Sequence, residues 1–158
     1  MDEEILNSTP TDFCVVVAGY PEKHAEARSL DWDIHFLKEK IIAGSDYIIT
    51  QMFFDNQKFF EFETECREAG INVPIIPGLK PLATLKQLNL IPHRFHVDLP
   101  QDLINAVVKA KDNEAVSEIG VEWCIQQSKE LKEHGVSFLH YYSMGKSKNV
   151  KKIASALF

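Results

Sequence analysis

The stretch YIITQMFFDNQKFFEFETECREAGINVPIIP, residues 47–77, decides the fold. Tyr47-Ile-Ile-Thr-Gln51 is rich in β-branched side chains and reads as a strand. Asp55 is a predicted N-cap, and the helix it opens runs to Ala69 before Gly70 stops it. Val73-Pro-Ile-Ile-Pro77 reads as a second, short strand. Two strands joined by a helical crossover lie parallel, so this segment predicts a parallel sheet with helices packed on it.

The same alternation continues in both directions. Upstream, Phe13-Cys-Val-Val-Val-Ala18 predicts a strand, and its unbroken apolar run suits cover on both faces. A helix is predicted over Asp31 to Ala43, with Ile34, Leu37 and Ile41 at helical spacing and Gly44 as its stop. Downstream, helices are predicted over Leu82 to Leu90 (stopped by Pro92), Pro100 to Lys109 and Asn113 to His134. Ser137-Phe-Leu-His-Tyr-Tyr142 predicts the fourth strand, and Lys148 to Leu157 the last helix. Four strand–helix units fit an open doubly wound sheet or half of a (β/α)₈ TIM barrel. A whole barrel takes roughly 250 residues, so the barrel reading calls for a partner half, a second copy or further sequence.

Composition narrows the class. The chain has 158 residues, with 17 Lys and Arg against 23 Asp and Glu, a net charge of −6. That length predicts one domain, and the charge balance argues against coating a nucleic acid. No apolar run approaches the roughly 20 residues of a membrane helix. Residues 1–12 are acidic and polar, contain Pro10 and read as a leader without signal-peptide character. Cys14, Cys66 and Cys124 are odd in number and far apart, which predicts reduced thiols and a cytoplasmic protein.

Ligands of parallel α/β folds bind at the carboxyl ends of the strands. Those ends read Gly19-Tyr-Pro-Glu-Lys-His24, Thr50-Gln-Met-Phe-Phe-Asp55, Pro77-Gly-Leu-Lys-Pro81 and Tyr142-Ser-Met-Gly-Lys146. Each offers polar or aromatic groups beside a turn residue. Asp33 and Lys40 lie about two helical turns apart and share a face. That face is either solvated, or has Lys40 on a phosphate and Asp33 on a ribose hydroxyl. Lys146, Lys148, Lys151 and Lys152 form a basic cluster that reads as a solvated helix face or an anion site. His93 and His96 are too few for a metal centre, and no metal site is predicted. G-x-G-x-x-G, Walker A and G-x-S-x-G motifs are absent.

The same strand ends resemble those of the methylenetetrahydrofolate reductases. The resemblance is carried by Ala18-Gly-Tyr-Pro-Glu-Lys-His24 with Glu26-Ala27, Asp33 through Lys40, Ala43-Gly44, Ile48 through Asp55, and Ile75-Ile-Pro-Gly78 with Pro81. Gly120 to Glu122 and His140-Tyr-Tyr142 continue it in the same order, over roughly residues 13–158. It implies the C-terminal half, strands five to eight, of the family's FAD-holding (β/α)₈ catalytic barrel, with residues 13–158 as a partial catalytic domain.

The implied reaction reduces 5,10-methylenetetrahydrofolate to 5-methyltetrahydrofolate, with NAD(P)H as reductant and FAD as carrier. Tyr20 and His24 would line the flavin, and Asp33 and Lys40 would contact its ribityl-phosphate or adenosine portion. Gln51 and Gln87 match folate-contacting glutamines, and Lys146 stands where the family commonly has Arg. Lys lacks the planar fork that Arg offers a carboxylate. Phe36 sits where relatives often carry a polar residue. The family's general acid lies in the first half of the barrel, so no catalytic residue is assigned, and the isolated chain is expected to be inactive. The resemblance leaves room for a homo-oligomer. It also admits a rival from another class, a non-catalytic truncated form that pairs with a full-length reductase. An open-sheet phosphate-binding domain is the third alternative, and gives Tyr20, His24 and Gln51 no task.

Overall fold

The structure, a computed structural model, describes residues 12–158. Most of the expected leader therefore lies outside the described residues. Four strands, β1 (Val16–Gly19), β2 (Tyr47–Met52), β3 (Ile75–Leu79) and β4 (His140–Tyr141), form one parallel sheet in sequential order. The helices are α1 (Leu30–Ile42), α2 (Asn56–Glu68), α3 (Gln87–Phe95), α4 (Gln101–Val108), α5 (Asn113–Glu133) and α6 (Ser147–Leu157). A parallel sheet whose order follows the sequence is the arrangement of successive barrel units, not of a doubly wound sheet whose order reverses at a switch point.

Local chemistry explains the helix starts. The Ser29 hydroxyl accepts from the Trp32 N–H at 3.2 Å, a carboxylate oxygen of Asp55 from Gln57 N–H at 3.0 Å, and one of Asp112 from Ala115 N–H at 2.8 Å. Each satisfies a donor that the first helical turn leaves unpaired.

Side-chain alternation divides the sheet into two faces. Val17, Ile48, Ile75 and Leu79 face the helices and join one core with Ile34, Leu37, Phe59, Phe62, Cys124, Leu131 and Ile153. A second core, Met52, Phe54, Leu82, Ile91, Leu103, Val107 and Val116, sits at the carboxyl end of the sheet and fixes α3 and α4. The opposite face carries Val16, Ala18, Ile49 and Ile76, which are exposed or only partly covered. The first strand was expected to be covered on both sides. Instead Val16 is 38% exposed, because no described element packs on this concave face.

Three boundaries differ from the sequence reading. The first strand begins at Val16, and its predecessor Val15 is tied instead to Asp46, whose Oδ2 accepts from Val15 N–H at 2.6 Å. The fourth strand shrinks to two residues, because only His140 and Tyr141 have ladder partners on β3. Pro92 does not end its helix; α3 starts later and runs through it to Phe95. Proline at this point removes only the donor to Leu88, and the buried Ile91 with the partly buried Phe95 holds the remaining turn against the second core.

Candidate functional site

The carboxyl ends of the strands are shaped by one irregularity. The register of β2 against β3 shifts between Ile49 and Met52. The hydroxyl of Thr50 accepts from Gly78 N–H at 2.9 Å there, and the Tyr142 hydroxyl donates to the Thr50 carbonyl at 2.8 Å. Gly78 allows this closeness: a Cβ on it would strike the Thr50 carbonyl oxygen and lie 2.7 Å from the Tyr142 ring. Burial pushes the Tyr142 phenol above its ordinary pKa, with the nearby Tyr20 adding to the shift. Tyr142 thus belongs to the site's frame, a role the sequence did not signal. Gly120 has a similar task farther out, since a Cβ there would collide with the Leu82 backbone and lift α5 away.

After β1 the chain makes a rigid loop. Lys23 takes a left-handed φ of 75°, and its ammonium donates to the carbonyls of His24 at 3.0 Å and Ala27 at 2.7 Å. Asp33 accepts from His24 N–H at 2.7 Å through Oδ2, anchoring the loop to α1. His24 Nδ1 accepts from Glu26 N–H at 3.2 Å, so the neutral ring carries its proton on Nε2 and offers it as a donor. The rings of Tyr20 and His24 meet edge to face with centroids 4.7 Å apart. Glu22 extends the opposite way. Its Oε2 accepts from Asp98 N–H at 2.8 Å while its Oε1 is buried without a partner. Burial, chiefly, pushes the Glu22 carboxyl up to about 7.

Two clefts open at this end of the sheet. One, of about 350 Å³, brings Tyr20, His24 and Gln51 together with Arg94, Phe95 and His96. Gln51 uses its amide oxygen on Met52 N–H at 3.0 Å, which leaves its NH₂ as the free donor. The other, of about 670 Å³, contains Gln87, Lys146, Lys80 and Tyr142. The Gln87 oxygen accepts from Ala83 N–H at 2.6 Å and Thr84 N–H at 3.1 Å, so this glutamine also builds the entry to α3. Burial lowers the Lys80 ammonium below its ordinary pKa.

The predicted site residues therefore separate into groups. Tyr20, His24 and Gln51 meet in one cleft, and Gln87 and Lys146 share the other. Asp33 reaches His24 but spends an oxygen on the backbone. Lys40 is exposed on the last turn of α1, about 10 Å along the helix axis from Asp33, and lines neither cleft. Phe36 is exposed and packs edge-on against Trp32 at 5.1 Å. Arg94 and Lys80, neither of which the sequence reading names as a site residue, line the larger cleft. Among the described residues, no cluster of His, Cys, Asp and Glu could hold a metal ion, and no helix is long and apolar enough to cross a membrane.

Residues 4–157 match the family described as Methylenetetrahydrofolate reductase. The chain belongs to the methylenetetrahydrofolate reductase family. It is 37% identical over 147 residues to Methylenetetrahydrofolate reductase 1 of Schizosaccharomyces pombe, covering 92% of this chain and 24% of that protein. It is 35% identical over 138 residues to the 5,10-methylenetetrahydrofolate reductase of Salmonella typhimurium, covering 86% of this chain and 46% of the relative. The methylenetetrahydrofolate reductase relatives are thus spanned by this chain over a quarter to a half of their length. A solved Clostridium thermocellum protein, described as uncharacterized and binding two copies of 5-methyl-5,6,7,8-tetrahydrofolic acid, shares the fold. Its TM-score is 0.65 at 22% identity, over 92% of this chain and 52% of that one.

Proposed function

We propose that residues 13–158 supply the second half of a (β/α)₈ catalytic barrel. That barrel reduces 5,10-methylenetetrahydrofolate to 5-methyltetrahydrofolate with FAD and a nicotinamide cofactor. The carrying observation is the convergence of Tyr20, His24 and Gln51 in one cleft at the strand ends of a chain of this family. The exposed concave face, with Val16 and Ala18 open, is the surface a first half would cover. The solved structural neighbour binds a reduced folate, and relatives from Arabidopsis thaliana and Caenorhabditis elegans are named for NADH and NADPH respectively.

The donor set suits a flavin dinucleotide. His24 offers Nε2–H and Tyr20 a phenol, against Glu26 as the one acid among the described residues of that wall. FAD, when bound, relays a hydride from nicotinamide to folate. Asp33 holds the His24 loop in place from below, and Lys40 would reach only a distal part of the cofactor. The free NH₂ of Gln51 would donate to the pterin edge, and that of Gln87 to the folate body in the larger cleft. Lys146 would meet a carboxylate as a point charge. The proton that opens the folate ring is assigned to no residue of this chain. The cytosol suits this chemistry, because three unpaired thiols stay reduced there.

The test is to incubate the purified protein with FAD, desalt it and record its visible spectrum, alongside His24→Ala. NAD(P)H-dependent formation of 5-methyltetrahydrofolate is then assayed by chromatography. Flavin retention that falls in His24→Ala supports the reading. A protein that, mixed with the first half of a relative's barrel, keeps no flavin and binds no 5-methyltetrahydrofolate overturns it. A second reading, favoured by the same open concave face, is a non-catalytic partner of a complete reductase. Flavin-free protein that co-purifies with such a reductase would decide for it.

A further inference from the structure

We propose that Arg94 is the specificity-determining anchor for the ligand's carboxylates, gripping them from the end of α3 where the two clefts meet. The inference rests on the folate reading above and names a residue that reading does not need for the pterin. Arg94 is an exposed residue that lines both clefts, the one with Tyr20, His24 and Gln51 and the one with Gln87 and Lys146.

Charge is what singles out this place. The larger cleft carries Lys80, Arg94, Lys146 and Lys148 and, among the described residues, no acid. That is against the trend of a chain with 23 acids and 17 bases. Four like charges around one cavity repel each other, and an anionic ligand relieves the repulsion. Two cations elsewhere are held by the protein itself. Arg67 pairs with Glu63 at 3.0 Å and donates to the carbonyls of Ile71 and Val73, and Lys23 is held by two carbonyls. That Arg67–Glu63 contact is the sole ion pair among the described residues, so the cleft cations are left without carboxylate partners. Leu90, Ile91 and Phe95 add an apolar wall beside them. Apolar wall plus converging cations describes a site for an aromatic body that ends in more than one carboxylate.

Among those four cations, Arg94 alone has a planar fork that can grip a carboxylate through two parallel hydrogen bonds; the lysines act as point charges. Its base is fixed. Ile91 and Phe95 pack into the second core on either side of it, and His96 closes the helix in a left-handed conformation with φ of 54°. The helix end that carries Arg94 is therefore fixed, while its side chain is exposed and can turn its fork toward a ligand.

The experiment is calorimetric titration of the purified protein with p-aminobenzoyl-L-glutamate and with p-aminobenzamide, which lacks the carboxylates. Neither probe carries a pterin, so neither depends on Gln51. The parent is expected to prefer the dicarboxylate. Arg94→Ala is expected to lose about tenfold or more in affinity for it, the scale of a charged hydrogen bond. Arg94→Lys should recover only part, and Lys152→Ala, on a separate surface of α6, should match the parent. Unchanged affinity in an Arg94→Ala protein with the parent's melting temperature overturns the proposal. So does full recovery in Arg94→Lys, or a parent that does not bind the dicarboxylate. Titration with 5-methyltetrahydrofolate in parallel separates the two readings: binding there without an Arg94 effect leaves the folate reading standing and removes Arg94 from it.

Discussion

Replacing Glu22 with glutamine is expected to stabilise the protein at pH 8 and to change little at pH 5. Glu22 links the loop after β1 to the segment after α3 through its contact with Asp98 N–H at 2.8 Å, while its other oxygen is buried without a partner. Burial lifts its pKa from 4.5 to about 7, with the charges of Asp98 and Asp55 adding and the Asp98 N–H and Lys58 opposing. The folded state therefore keeps this proton up to about pH 7, whereas the unfolded chain releases it near 4.5. Between those values the native state binds more protons, so Glu22 makes stability fall as pH rises, and its cost is complete above about pH 7.

At 1.36 kcal/mol for each pH unit the full displacement corresponds to about 3 kcal/mol, and screening of the half-buried side chain reduces it to about 1–2 kcal/mol. Glutamine keeps an acceptor for Asp98 N–H and cannot ionise. Urea unfolding of parent and Glu22→Gln at both pH values isolates this group, because every other titration cancels in the difference. A gain of the same size at pH 5 and pH 8, or none at pH 8, would refute the reasoning.

Gly78→Ala should destabilise the fold by about 2–4 kcal/mol in urea unfolding, since its Cβ meets the Thr50 backbone and the Tyr142 ring together. Tyr142→Phe removes only the hydrogen bond to the Thr50 carbonyl and should cost about 1–2 kcal/mol by the same measurement. Asp33→Ala should loosen the His24 loop and weaken flavin retention about tenfold, while Asp33→Asn, which can still accept from His24 N–H, should retain most of it; spectra after desalting compare the two. A thiol reagent at pH 8 should label the exposed Cys14 quickly, and Cys66 and Cys124 only on unfolding, because burial pushes both buried thiols up to about 12.

Much of the scaffold is legible in residues 47–77. The β-branched run at Tyr47, the Asp55 cap and the Gly70 stop are local signals, and local chemistry decides them. The Pro92 helix was misread for the opposite reason. Burial of Ile91 and Phe95 against residues distant in sequence outweighs the local cost of the proline. The uncovered side of β1 was likewise beyond a reading of apolar runs, since a run records what could be buried and not what lies above it.

Within the site, the sequence placed Tyr20, His24 and Gln51 at strand ends, and the fold brings them into one cleft. Lys40 and Asp33 show the limit of helical spacing: neither lines a cleft, and Asp33 acts on one only through the His24 backbone. Arg94 and Lys80 carried no pattern of their own. Arg94 sits beside an exposed helix end in a segment without a motif, and only the packing of α3 brings it to both clefts.

The most direct measurement is a crystal structure of the protein with 5-methyltetrahydrofolate. The pterin edge is predicted to lie on the Gln51 amide with the carboxylates toward Arg94 and Lys146. A ligand seated instead in the cleft formed by Phe54, Trp123 and Gln127 would contradict the assignment of the pterin to Gln51 and of the carboxylates to Arg94 and Lys146.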